Sequence, residues 1–100
     1  MPARKAASVT LRERSMTVSC VIPHWNQRKL LESLLDSLQR LRLPPGWVLE
    51  TIVVDNASED SSAEAAEVRG ARVLRLDQNQ GVSRALNLGI KASTGAWIAL

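Results

Sequence analysis

Residues 17–26 read Thr-Val-Ser-Cys-Val-Ile-Pro-His-Trp-Asn, and residues 49–58 read Leu-Glu-Thr-Ile-Val-Val-Asp-Asn-Ala-Ser. In each, a β-branched apolar run stops abruptly in a polar turn. Val18 to Ile22, ended by Pro23, reads as a buried strand, and Leu49 to Val54 as a second. Between them Leu30, Leu31, Leu34, Leu35, Leu38 and Leu41 recur at the period of a helix, with Asn26 placed as its N-cap and Pro44-Pro45-Gly46 as its stop. A short helix over Ser61 to Val68 follows, with Gly70 just beyond it. Arg72 to Leu76 reads as a third strand and Asp77 to Gly81 as a loop. Val82 to Ala92 reads as a third helix with Val82, Ala85, Leu86, in part Leu88, Gly89 and Ile90 on or near its buried side. Ser93-Thr94-Gly95 turns the chain into a fourth strand over Ala96 to Leu100. The order β-α-β-α-β-α-β predicts a parallel, doubly wound α/β sheet, because each return must cross over through a helix.

One hundred residues hold a single core. Apolar residues at 45% and charged residues at 23% are those of an ordinary folded chain. No apolar run reaches the roughly 20 residues of a membrane-spanning helix. The first fourteen residues lack the apolar core of a secretory signal. The one cysteine, Cys20, excludes a disulfide framework or a cysteine-rich zinc site. These counts suggest a location in the cytoplasm or on the cytoplasmic face of a membrane. Charge is unevenly placed. Arg4, Lys5, Arg12 and Arg14 against Glu13 put a net +3 in residues 1–16, whereas nine basic residues balance nine acidic ones in residues 17–100. The pI of about 9.8 therefore belongs to a basic tail, expected to be disordered, and not to a nucleic-acid-binding face. Peripheral contact of that tail with a membrane surface stays open.

Ligands of doubly wound sheets bind beyond the carboxyl ends of the strands. The polar clusters at residues 23–26, 55–58 and 77–81 all fall there, while the opposite ends carry the bland Pro44-Pro45-Gly46-Trp47 and Arg69-Gly70. Glycines occur only at 46, 70, 81, 89 and 95, so neither a phosphate-binding P-loop nor a dinucleotide fingerprint is present. A Gly-x-Ser-x-Gly nucleophile elbow is also missing.

Four segments, in order, resemble glycosyltransferase family 2. Residues 18–26 resemble its first strand and loop, and residues 52–60 its second strand and acidic turn. Residues 79–90 resemble its third motif, and residues 92–95 the approach to its fourth strand. The resemblance covers residues 17–100 and implies a GT-A, Rossmann-like fold. It also implies transfer of a sugar from a nucleotide-diphosphate donor to an acceptor hydroxyl, in cell-surface polysaccharide or glycan synthesis. It implies a divalent metal, Mg or Mn, held by an Asp-x-Asp-type motif that follows the fourth strand in the family. The sequence ends at Leu100, before such a motif, so the expected fold is truncated after the fourth strand. The catalytic base and metal ligands are not among these residues, and the chain alone is expected to be inactive. An exposed sheet edge at Trp97 to Leu100 is expected as well. The alternative is a non-catalytic fragment or nucleotide-binding module that needs a partner or a C-terminal half.

The resemblance places Pro23, Trp25, Asn26, Asp55, Asn56, Ser58, Asn79, Gly81, Arg84 and Asn87 at the nucleotide site. Trp25 offers a flat face to a nucleobase or packs on the first helix. Asn56 stands where the family commonly has a second Asp; its amide can meet the edge of uracil or thymine, favouring a UDP or dTDP donor. Asp55 binds a ribose or accepts N–H groups of its own turn, and Ser58 reads as a turn or cap residue. Arg84 meets a diphosphate or lies solvated on its helix. Asn87 lies by the nucleotide or bonds a neighbouring loop. Asp77 and Asn79 read as turn chemistry rather than a metal pair, His24 as a loop residue and Cys20 as a strand-core residue.

Overall fold

An apolar run without polar alternation must be buried on both faces. The computed structural model, which describes residues 16–100, puts the two such runs side by side at the centre of one sheet. The elements are β1 (Thr17–His24), α1 (Arg28–Gln39), β2 (Val48–Asp55), α2 (Ser62–Val68), β3 (Arg72–Arg75), α3 (Val82–Ala92) and β4 (Trp97–Ala99). All pairings are parallel and the strand order is β3-β2-β1-β4. The doubly wound α/β expectation is borne out. The basic tail expected over residues 1–16 lies outside the described residues except for Met16, whose carbonyl accepts the Val48 N–H at 3.2 Å.

The order of the strands fixes the layers. From β1 to β3 the chain steps in one direction, so right-handed crossovers lay α1 and α2 on one face. It then returns past β1 to β4, which sends α3 to the other face. The two cores match. Leu31 and Leu35 of α1 and Ala66 of α2 pack on Val53, with Ile22, Leu38 and Val73 beside them. Ala85 of α3 packs on Val21, Ile52 and Val54, with Leu74, Leu86 and Ile90 beside it.

Several boundaries differ from the sequence reading, each for a physical reason. β1 continues through Pro23 to His24. The His24 carbonyl accepts the Asn56 N–H at 2.8 Å, so His24 turns its backbone toward β2. Its predecessor Pro23 therefore points its nitrogen the other way, where β4 pairs only with Val18 to Cys20 and no acceptor waits for an N–H. α1 stops at Gln39, before the prolines, because Arg40 and Leu41 close it with bonds to the Ser37 and Leu38 carbonyls. Of the six leucines only Leu31, Leu35 and Leu38 face the sheet; Leu30, Leu34 and Leu41 lie on the flank of that arc and are exposed. Val82 is exposed too, since the first turn of α3 projects past the core.

Two contacts set how closely β4 and α3 approach the sheet. A Cβ on Gly89 would overlap Val21 Cγ1 and lie 3.0 Å from Val54 Cγ2, so the helix rests its backbone directly on the strands. A Cβ on Gly95 would lie 2.6 Å from the Thr17 carbonyl oxygen. Beside Gly95 the Glu50 carboxylate gathers three donors: the Ser19 hydroxyl at 2.7 Å, the Thr94 N–H at 3.0 Å and the Thr94 hydroxyl at 3.1 Å. Ser19 Oγ accepts the Gly95 N–H at 2.9 Å. Burial would raise the Glu50 carboxyl, but the bonds from Thr94 and Ser19 and the charge of Arg72 outweigh it, leaving the group below its ordinary 4.5. β4 lies at the sheet edge with Trp97, Ile98 and Leu100 exposed. The Trp97 indole meets that of Trp47 at a tilted centroid distance of 6.5 Å.

Two predictions follow from these contacts. Gly89→Ala gains about 1 kcal/mol of helix propensity but overpacks the sheet, which typically costs about 1–3 kcal/mol, so urea denaturation should show net destabilisation. A stabilised variant would show that α3 does not rest on Val21. Glu50 has a depressed folded value, so its contribution is full above 4.5 and is lost as pH falls through the folded value. Glu50→Gln should lower Tm at neutral pH and flatten the fall in Tm between about pH 5 and pH 3. Parallel acid profiles for the two proteins would contradict this.

Candidate functional site

Three loops leave the carboxyl ends of β1, β2 and β3, and side chains rather than secondary structure join them. Asp55, the last residue of β2, bonds Ser58 twice: Oδ2 accepts the Ser58 N–H at 3.1 Å and Oδ1 the Ser58 hydroxyl at 2.5 Å. Ser58 Oγ then accepts the Asn26 N–H at 2.8 Å, and Asn26 Oδ1 accepts the Glu59 N–H at 2.9 Å. Asp60 Oδ2 accepts the N–H groups of both Gln27 and Arg28 at 2.9 Å. The expected N-cap role of Asn26 is thus corrected. Gln27 stands at that position, in a left-handed conformation and without a side-chain cap. The carboxylate that receives the helix's first donors comes from the β2–α2 loop instead. Burial would raise Asp60, but hydrogen bonds from Ser62, Arg28 and its own turn outweigh it and hold the carboxyl below its ordinary value.

Backbone strain collects in the same two loops. Among the described residues four non-glycines have positive φ: Asn26 at 45°, Gln27 at 104°, Ala57 at 63° and Ser61 at 64°. Each such residue costs of order 1 kcal/mol, and it persists only where neighbours over-determine it. Here the bonds from Asp55, Ser58 and Asp60 do so.

Asn56 ties in the third loop. It is 3% exposed; its Oδ1 accepts the Gln80 N–H at 3.0 Å and its Nδ2 donates to the Gly81 carbonyl at 3.4 Å. Both groups expected to meet a base edge are turned to the β3–α3 loop, which has no secondary structure of its own to hold it. Asn79 Oδ1 accepts the Gly81 N–H at 2.9 Å, a local turn bond. Gly81 has φ +85°, a conformation that suits glycine.

The loops enclose a shallow pocket of about 170 Å³ lined by Pro23, His24, Trp25, Asn56, Asn79, Gly81 and Val82. Trp25 is 55% exposed, so its indole is not consumed by packing on α1. Arg84 and Asn87 line a separate cleft of about 290 Å³ on the outer face of α3, with Lys91. Arg84 Nε donates to the neutral Gln80 Oε1 at 2.9 Å, leaving its charge without a carboxylate partner among the described residues. A larger cleft of about 320 Å³ lies at the other end of the sheet, against Leu35, Leu38 and Leu49. Its one cation, Arg69, is neutralised by Glu32 and Asp36. The larger volume therefore lies away from the polar loops.

His24, read as a plain loop residue, is the residue that sequence reasoning undervalued. It ends β1, and its Nε2 lies 2.8 Å from the Oγ of the buried Ser62. Burial lowers its imidazole below the ordinary 6.5, against the opposing pull of Asp55 and Asp60. The one available signal was its uniqueness beside Trp25. Cys20 is half-buried in β1, and burial pushes its thiol up. Among the described residues no cluster of three His, Cys, Asp or Glu side chains could hold a metal ion. Asn79 makes the local turn bond to the Gly81 N–H that the sequence suggests.

Comparison with known proteins places this geometry. Residues 19–100 match the description "Glycosyl transferase family 2". Glycosyltransferase EpsJ of Bacillus subtilis is 39% identical over 85 residues, which is 81% of this chain and 24% of that protein. A mannosyltransferase of Pyrobaculum calidifontis, solved with GDP-Man and Mn2+, superposes with a TM-score of 0.73 at 26% identity, over 81% of this chain and 25% of its own. Glucosyl-3-phosphoglycerate synthase of Mycobacterium tuberculosis, solved with Mn2+, UDP and glucosyl-3-phosphoglycerate, superposes with a TM-score of 0.69 at 28% identity, over 98% of this chain and 37% of its own. The chain therefore spans about a quarter to a third of the length of these proteins, and it does so at their N-terminal part. The parallel sheet wound β3-β2-β1-β4 is the GT-A arrangement of those enzymes. With the family matched over all four strands and the three loops, the chain belongs to glycosyl transferase family 2.

Proposed function

We propose that this chain forms the nucleotide-sugar-binding part of a glycosyltransferase whose donor is a UDP or dTDP sugar. The observation that carries the reading is the convergence of three loops on one pocket at which the Trp25 indole stands exposed. In the reaction an acceptor hydroxyl displaces the nucleoside diphosphate from the anomeric carbon. Trp25 supplies the stacking face, worth roughly 1–3 kcal/mol for a base. Asn56 shapes the opposite wall by holding Gln80 and Gly81. Asp55 and Ser58 keep the β2 turn closed on Asn26. Arg84, with its uncompensated charge, and Asn87 one turn later present polar groups to an anionic diphosphate extending along α3. A divalent cation, Mg or Mn, would stabilise the leaving diphosphate, and we place its ligands in the motif that follows the fourth strand in the family. We place the setting in cell-surface polysaccharide or glycan synthesis, at the cytoplasm or the cytoplasmic face of a membrane; among the described residues no helix is long and apolar enough to cross one.

A second reading is a non-catalytic fragment or nucleotide-binding module that needs a partner or a C-terminal half, either of which would cover the exposed apolar side chains of Trp97, Ile98 and Leu100. The test needs a polypeptide that joins this chain to the C-terminal part its relatives carry, incubated with a nucleotide sugar, an acceptor and Mn2+: release of nucleoside diphosphate supports the enzyme, and binding without release supports the module.

Calorimetric titration of UDP, dTDP and GDP tests the pocket. Trp25→Ala should weaken UDP binding several-fold to roughly a hundredfold with the circular dichroism spectrum unchanged. Equal affinities would remove the stacking role. Asn56→Ala should expose the Gln80 amide to rapid hydrogen exchange and weaken UDP binding by a smaller factor, because the wall rather than a direct bond is lost. A Gln80 amide that stays protected would show that the loop has another anchor.

A further inference from the structure

The turn that carries Trp25 is held at both ends by one carboxylate. At its far end Asp60 Oδ2 accepts the N–H groups of Gln27 and Arg28 at 2.9 Å. At its near end the contact runs through two side chains. Ser62 Oγ donates to Asp60 Oδ1, and His24 Nε2 lies 2.8 Å from Ser62 Oγ. Proton counting fixes the direction of this chain. An ionised carboxylate only accepts, and a hydroxyl has one hydrogen to give. Ser62 gives its hydrogen to Asp60, so its oxygen accepts from His24, and the neutral ring must be the Nε2–H tautomer. Asp60 is held in its ionised form by the donors around it, and Ser62 is fully buried, so the Ser62 hydroxyl cannot turn to water. Between the two anchors Asn26 and Gln27 both have positive φ, a conformation that persists only where several bonds determine it.

We propose that His24 and Ser62 are positioning residues for the nucleotide pocket: with Asp60 they clamp the residue before Trp25 and thereby aim the indole at the base. This rests on the stacking role given to Trp25 above. The ring of His24 does not need to touch the ligand. It needs a donor at the ε position, directed at Ser62, and a body that fills its half-buried site.

Three variants and one spectrum test it. His24→Phe keeps the ring and removes the donor, whereas His24→Gln keeps a donor near the ε position. His24→Phe should weaken UDP binding about five- to tenfold, a part of the stacking contribution, and His24→Gln should restore most of the loss. In a Trp25→Ala background His24→Phe should cause no further loss, because a residue that acts through Trp25 has nothing left to aim. The wild-type chain has one histidine, so a long-range nitrogen–proton spectrum shows one imidazole, expected as the Nε2–H tautomer. The proposal is overturned by the Nδ1–H tautomer, by His24→Gln as weak as His24→Phe, or by an undiminished loss in the Trp25→Ala background. If Trp25→Ala itself leaves UDP binding unchanged, the stacking role fails first. If Trp25→Ala weakens binding and His24→Phe does not, only the clamp fails. The spectrum stands even if His24→Phe does not fold.

Discussion

The site depends on β1 lying between β2 and β4. A parallel sheet must return its chain outside the sheet after every strand, so each connection that follows a strand starts at the same end. Because the winding reverses at β1, the crossover helices divide between the two faces and leave a crevice at that end. Into it open the turn at Trp25, the turn at Asp55 and the loop at Asn79. Had β4 joined beyond β3, the same motifs would line one face of a sheet and enclose nothing. The close seats of Gly89 on Val21 and of Gly95 on Thr17 serve this arrangement, since α3 must lie across β1 and β2 and β4 must fit on the far side of β1.

Within that frame the pocket is rigid through polar bonds rather than apolar packing. The cores end at Val54 and Leu76, and the residues beyond them toward the pocket are polar or exposed. Asn56, Ser58 and Asp60 each bridge to another part of the loop layer, and Asp55 seats Ser58 by accepting both its N–H and its hydroxyl. Strained residues in the same turns are the expected companion of such bracing, because a turn that closes in a left-handed conformation does so only where several bonds insist on it.

The strands, the layers and the end of the sheet at which the polar loops gather were legible because they follow from short-range patterns: β-branched runs, leucine spacing, and polar turns at alternate junctions. What stayed hidden was whatever depends on a partner distant in sequence. Asn26 has the chemistry of a cap, but Asp60 supplies the carboxylate and releases Asn26 to bond Glu59. Asn56 has the chemistry to read a base, but its amide meets Gln80 and Gly81, a neighbour known only once β3 and α3 are placed. His24 looked unremarkable for the same reason: its partner Ser62 belongs to another element. Leu30, Leu34 and Leu41 lengthened the apparent stripe of α1 because periodicity records an arc of the helix, whereas burial depends on how much of that arc a two-strand surface covers.

The pairing of Trp47 with Trp97 divides the tryptophans of the chain between two optical roles. The two indoles are 6.5 Å apart and tilted by 41°, close enough for their excited states to couple. One ring precedes β2 and the other begins β4, so that coupling exists only while β4 is docked. Trp25 stands apart in the pocket layer, and a base stacked on it as proposed would quench or shift its emission. The chain thus carries, without labels, one chromophore pair that reports the integrity of the sheet edge and a single chromophore that, under the proposed function, would report occupancy of the crevice.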